Sequence, residues 1–336
     1  MSTAVETKQQ TQQSPIQSIG KLVALCAFAA MMSTFGPFAL VAPAAIALAF
    51  IHFGVGRVSL AVLLMSIGLY FLVGQNMNAL GSISTFLYSA VVGFVIDRFI
   101  AYKVHPVKGV LFGGIAFYLG VIVIASIGLM INGLSFTELV NSQVSVFINQ
   151  MKQSPEYNQI ISAGGEQARE LRSLVNSPSS LVEQVINWMP SVAFIGIFLS
   201  LWASFYFVLR NSLAWRSHRK YPFGLLHLTF FKLPFWLVYP LILALSFSIV
   251  GDSIEGFDFS VIGFNMLYSL GALYFFQGFG VVYDYLTVKG YRGFFKSLMI
   301  TLAVVFMWRV VVLIGVLDLW VNFRKFYVKK IEGDKK

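Results

Sequence analysis

The sequence predicts an all-α membrane protein: a polytopic transmembrane helical bundle with eight to nine membrane helices and one extramembrane helical insertion. Three observations lead there. Of 336 residues, 57% are hydrophobic and only 11% are charged, a balance outside the range of soluble domains of this size. Apolar runs approaching the roughly 20 residues needed to cross a hydrocarbon core recur along the chain. The Lys and Arg behind the net charge of +10 sit in short segments between those runs and near residue 336. That placement marks cytoplasmic loops and leaves no case for nucleic-acid binding.

Residues 1–20 are polar and rich in Gln, Ser and Thr, with no basic stretch before a short apolar core, so they read as a disordered tail. Membrane helices follow over 21–133. Residues 22–53 are too long for one crossing and are interrupted by Gly36, Pro37 and Pro43, which favours short helices near 22–36 and 40–53. Further apolar runs lie near 58–73, 78–100 and 109–133.

Residues 134–187 break the pattern, with five glutamates against three basic residues. Phe136, Leu139, Val140, Val144, Phe147, Ile148 and Met151 recur at helical spacing, which predicts an amphipathic helix. Ser180 and Glu183 have the spacing of a capping box opening a second helix, and "AGGEQ" and "NSPSS" are breakers. The segment reads as an outer helical insertion lying on the membrane surface or on the bundle. Membrane helices resume over 188–322, with runs near 190–209, 233–251, 260–284 and 297–320, and a basic tail covers 323–336.

Loop charges set the orientation. Arg98, Lys103 and Lys108, then Arg210, Arg216, Arg219, Lys220 and Lys232, mark two cytoplasmic loops. The N-terminus is then cytoplasmic, and the acidic turn at Asp252, Glu255 and Asp258 lies outside. One conflict remains: a straight final crossing over 297–320 leaves Arg324, Lys325, Lys329, Lys330, Lys335 and Lys336 on the outer side.

Catalytic patterns are missing. His52, His105, His218 and His227 show no ligand spacing, and Cys26 is the only cysteine, so no metal and no cofactor is expected. There is no phosphate loop and no nucleophile elbow. Asp97, Asp284 and Asp318 stand alone near helix ends, so the chain is not expected to be an enzyme. Cys26, Ala30 and Thr34 form a small-residue stripe on the first helix, a face for helix packing or for a membrane-protein partner. The insertion at 134–187 is the other partner surface. Amides in a bilayer need partners, so Asn265, Gln277 and the adjacent Gly278 are interior polar candidates for a ligand of unassigned chemistry. Arg309 joins them, because charge inside a membrane is functional by default. Asp318 is about 13.5 Å along a helix from Arg309 and needs a partner of its own. It is placed to cap a break, so that the following "LWVNFRKFYVKK" lies along the interface with its basic residues at lipid headgroups.

Three stretches carry a family resemblance: "KLPFWLVYP" at 232–240, "YFFQGFGVV" at 274–282 and "LIGVLDLWVNFRK" at 313–325. In order they resemble the Leu-Pro segment, the Gln-Gly aromatic helix and the terminal Gly-x-x-Asp-x-x-x-x-x-Arg signature of the YybS-like predicted bacterial membrane proteins, the domain-of-unknown-function family 2232. Pro234, Asp318 and Arg324 are the signature positions. The resemblance implies a distant likeness to the substrate-binding subunits of energy-coupling-factor vitamin transporters. Such subunits bind a small molecule in the bundle and dock on a coupling subunit through small residues of the first helix. The expected function is small-molecule binding or a transport-related role. The alternative is a non-catalytic scaffold recruiting envelope or division proteins.

Overall fold

The computed structural model describes residues 15–73, 77–215, 219–251 and 258–326. Residues 1–14 of the polar tail, 327–336 of the basic tail, Arg216, His218, Asp252 and Glu255 lie outside them. The described residues are helical, with no strand among them.

The first four helices are α1 (Pro15–Thr34), α2 (Ala42–Phe53), α3 (Val55–Val73) and α4 (Met77–Ala101). The break between α1 and α2 falls where the sequence puts it. Pro37 stands at the start of a 3-10 turn, Gly36–Leu40, where its missing N–H has no rung to break. A short turn at Pro106–Lys108 and a π-helical turn at Gly109–Gly113 lead into α5 (Gly114–Asn132). The insertion folds as α6 (Phe136–Gln153), α7 (Pro155–Ala163) and α8 (Glu166–Asn176). Gly164 and Gly165 separate the last two at φ +72° and +88°, values that only glycine adopts freely. Then come α9 (Pro178–Arg210), α10 (Val238–Val250), α11 (Phe259–Val288), α12 (Gly293–Phe306) and α13 (Trp308–Val321).

Two local expectations are corrected here. The capping box is made at the start of α6, where Glu138 N–H donates to Ser135 Oγ and Ser135 N–H donates to Glu138 Oε2 at 2.7 Å. At the other site, α9 already starts at Pro178 and Ser180 Oγ donates back to Ser177 O. The hydroxyl is thus committed to the preceding turn. The second insertion helix and the apolar run from 190 are also one continuous helix of 33 residues.

The membrane count also changes. Five helices among the described residues are long and apolar enough to cross a bilayer, or six if the bent pair α12–α13 is one span, against the eight to nine expected. The difference has two causes. Three of the apolar runs form only shorter helices, Ile19–Thr34, Val55–Phe71 and Phe235–Val250. The last run is bent by 95° between α12 and α13, with neither proline nor glycine at the break.

The chain separates into two compact units that interleave in sequence: Met1–Val110 with Leu199–Leu226, and Leu111–Phe198 with His227–Lys336. In the first, Cys26, Ala29 and Ala30 of α1 pack with Ala45, Ile46 and Ala49 of α2 and with Val58, Val62, Phe86 and Ala90. Small side chains let these helix backbones approach closely. At Gly93 of α4 an added Cβ would lie 3.0 Å from Ala47 N and 3.1 Å from Pro43 O. Cys26 and Ala30 of the predicted stripe are therefore buried inside this unit, while Thr34 is exposed and bonds only to Met31 O of its own helix.

In the second unit α10 and α11 form an antiparallel hairpin, with Gly251 against Ser260 and Gly263 against Phe247 and Ser248. Pro190 lies inside α9 and leaves a rung of its hydrogen-bond ladder unmade. One turn of that helix is completed by Asn265 from α11: Ser191 N–H donates to Asn265 Oδ1 at 2.9 Å, and Asn265 Nδ2 donates to Asn187 O at 2.7 Å. A side-chain amide inserted into the helical ladder beside a proline is a recognised origin of a bend.

Candidate functional site

The three sequence motifs meet at one buried polar cluster in the second unit. Residues 231–234 leave the helical conformation beside Gln277, which lies within the apolar span Phe259–Val288. Backbone at that depth has no water to bond and must be satisfied by protein. Gln277 is fully buried and accepts from Leu233 N–H at 2.9 Å. Pro234, next in line, has no N–H to satisfy, and its carbonyl starts the turn Phe235–Leu237.

Gln277 Nε2 in turn donates to Asp318 Oδ2 at 3.1 Å. Asp318, only 2% exposed, also accepts at Oδ1 from Phe323 N–H at 2.9 Å, and its carbonyl accepts from Asn322 N–H. Asn322 sits in the left-handed region at φ 50° and ends α13. Asp318 therefore caps the helix end, as its position predicts, and the turn carries Arg324 back into the protein.

Arg324 does not join a basic interfacial segment; it is 6% exposed. Its guanidinium donates to Thr229 O at 3.2 Å and Phe231 O at 3.4 Å, and it lies 4.3 Å from the Phe230 ring centroid. Nε approaches Asp284 Oδ2 to 3.0 Å, but its N–H is not aimed at that oxygen, so the contact is an ion pair and not an aligned hydrogen bond. The burial has a physical reason. Two carbonyls of a non-helical segment need donors, and a planar guanidinium supplies several in a fixed fork. Close helix packing frames the cluster: a Cβ on Gly278 would strike Val311 O, one on Gly315 would strike Tyr274 O, and one on Gly280 would strike Thr229 O and the Arg324 guanidinium.

Arg309 is not an interior group. It is exposed on α13, with its guanidinium 5.3 Å from the Trp308 ring centroid. Asp284, which in sequence stands alone near a helix end, belongs to this cluster. The available signal was its spacing, seven residues beyond Gln277 and so on the same helical face.

The first unit holds two further features. Asp97, fully buried, pairs with Arg98 and with Arg219, the latter at 3.2 Å. Arg219 also donates to Phe50 O and Ile51 O in the last turn of α2, where a cation complements the helix dipole. The second feature is an apolar groove of about 540 Å³ between α1 and α3, walled by Leu22, Val23, Leu60, Leu64 and Met65, with Arg57 as the one charged lining residue among the described residues. Its volume is in the range of small-molecule sites.

Outside the spans, hydrogen bonds tune two carboxylates. Bonds from the Ser135 backbone and side chain hold Glu138 below the usual carboxylate range. Asp258, the N-cap of α11, is held low by the Ser260 hydroxyl and the Val261 N–H.

Among curated proteins and among solved structures, nothing matches the chain. A family comparison does match, across residues 22–319. That range covers most of the chain and takes in Gln277 and Asp318, though not Arg324, so this chain belongs to the family of predicted membrane proteins described as DUF2232.

Proposed function

We propose that the protein is a non-catalytic, membrane-embedded binding protein of transport type, related to the substrate-binding subunits of energy-coupling-factor transporters. Its ligand is a small anionic amphiphile. The groove between α1 and α3 carries this reading: apolar walls suit a hydrocarbon body, and Arg57 is the single cation placed to meet a carboxylate or phosphate. In this reading the three shorter apolar helices also cross the bilayer, residues ahead of α1 are cytoplasmic, and the membrane is a bacterial inner membrane. Arg57 then stands at the cytoplasmic boundary, where the groove draws its ligand from the inner leaflet.

The test is untargeted mass spectrometry of molecules that copurify with the full chain in mild detergent, compared with Arg57→Gln. One anionic amphiphile enriched over its abundance in the membrane extract, and depleted in the variant, is the expected result. Added back at about one hundred times its Kd, it should stabilise the chain by about 2.7 kcal/mol. Retention of phospholipid in bulk proportion, equal in both proteins, would reduce the groove to ordinary lipid-facing surface.

A second reading, an envelope or division scaffold, is favoured by the exposed Phe136, Leu139 and Phe147 on α6. Crosslinking in native membranes should then trap one protein partner that disappears when residues 136–176 are replaced by a flexible linker.

A further inference from the structure

The contacts between α11 and α13 fix their relative direction. Gly315 meets Tyr274 and Gly278, Asp318 meets Gln277, and Arg324 meets Gly280 and Asp284. Val311, nearer the start of α13, also meets Gly278, so the two helices are closest there; past that point the partners move toward the C-terminal end of α11, reaching Asp284 at Arg324, just beyond the end of α13. The two helices run the same way, and the end of α13 lies at the same end of the bundle as the end of α11.

The next helix starts there too. Lys296, in the first turns of α12, donates to Thr287 Oγ1 at 2.6 Å and stands 3.3 Å from the Tyr283 ring centroid. The pair α12–α13 therefore departs from the C-terminal end of α11 and comes back to it.

We propose that α12 and α13 form a re-entrant hairpin that enters and leaves the membrane on one face, so that Lys325 lies on the same side as Lys289 and Arg292. Three further quantities agree. Each helix has 14 residues, about 21 Å at 1.5 Å per residue, where a crossing needs roughly 30 Å. With a 95° bend and arms inclined equally, the turn at Met307 reaches about 15 Å deep, near the bilayer midplane. Both flanks are basic, with Lys289, Arg292 and Lys296 before and Lys325, Lys329 and Lys330 after, which is the charge pattern of two cytoplasmic flanks and not of opposite ones. The conflict in the sequence reading is removed. With the last run re-entrant, five long and three shorter helices give eight crossings, and the segments before α1 and after α13 share a side.

The buried cluster has a place in this arrangement. A returning hairpin must be held against the helix it left, and Asp318 and Arg324 hold α13 to Gln277, Asp284 and the 229–233 backbone.

The test is single-cysteine accessibility in the full chain, in a Cys26→Ala background, with a membrane-impermeant maleimide on sealed right-side-out and inverted vesicles. Tyr291→Cys reports the end of α11, Asp258→Cys its opposite end, and Lys325→Cys the end of the hairpin. Phe326→Cys, also exposed, serves as a second reporter should Lys325→Cys fail to reach the membrane. Lys325→Cys and Phe326→Cys should label in the vesicles where Tyr291→Cys labels and lose labelling where Asp258→Cys labels. Labelling alongside Asp258→Cys, or from neither side, would overturn the hairpin and restore a crossing or an embedded tail.

Discussion

Replacing Gln277 by Leu keeps most of the side-chain volume while removing both of its hydrogen bonds, which makes it the cleanest probe of the buried cluster. Two groups lose a partner. Leu233 N–H, bonded at 2.9 Å in the native protein, is left buried and unpaired at about 1–3 kcal/mol. The Asp318 carboxylate loses the donor at 3.1 Å, a bond to a charged group contributing about 1.5–3 kcal/mol. The sum, about 2.5–6 kcal/mol, exceeds the mean of roughly 0.6 kcal/mol for an ordinary interhelical hydrogen bond in a membrane, whose broken partners find substitutes in the unfolded state. Here substitutes are scarce, because Leu233 lies in non-helical backbone and cannot rebond within a helix. Reversible unfolding in mixed micelles of increasing denaturing detergent gives the free energy. A double-mutant cycle of Gln277→Leu with Asp318→Leu should show a coupling of about 1–3 kcal/mol. A loss below about 0.6 kcal/mol for the single variant, or a coupling near zero, would refute the claim that these side chains hold α13 to α11.

The glycine contact is open to a separate test. Gly315→Ala puts a methyl against the Tyr274 carbonyl, and since neither helix backbone can yield, a loss of about 1–3 kcal/mol or more is expected by the same unfolding assay. Gly271→Ala on α11, where an added Cβ meets nothing within 4 Å, should be neutral or slightly stabilising. The start of α6 should respond to acid. Glu138 titrates below its ordinary value because its charged form accepts from Ser135. Its contribution is therefore complete above the ordinary carboxylate range and is lost as pH falls through the lowered value. Hydrogen exchange over residues 135–142, corrected for its intrinsic pH dependence, should show protection falling on acidification in the wild type and already low in Ser135→Ala. Protection that rises toward acid would contradict the capping box.

Hydropathy and charge in the sequence determined that the protein is helical and belongs in a bilayer, because a run of apolar residues and its basic flanks act on the solvent directly and need no neighbour to be read. Periodicity likewise exposed the amphipathic α6, and Gly36 with Pro37 marked the break between α1 and α2, since both act through local backbone. Gln277, Pro234, Asp318 and Arg324 were legible as positions but not as one site. Gln277 and Asp318 are separated by 41 residues in the chain, and only the packing of α13 on α11 makes them touch. Arg309 and Arg324 show the limit most sharply. Both are arginines near one apolar run, and composition ranks the first as interior and the second as a tail residue. Tertiary structure reverses them: Asn322 turns the chain back and brings Arg324 to the Thr229 and Phe231 carbonyls, while Arg309 stays exposed on α13. Which arginine is buried depends on where unsatisfied carbonyls lie in space, and one-dimensional hydropathy does not contain that.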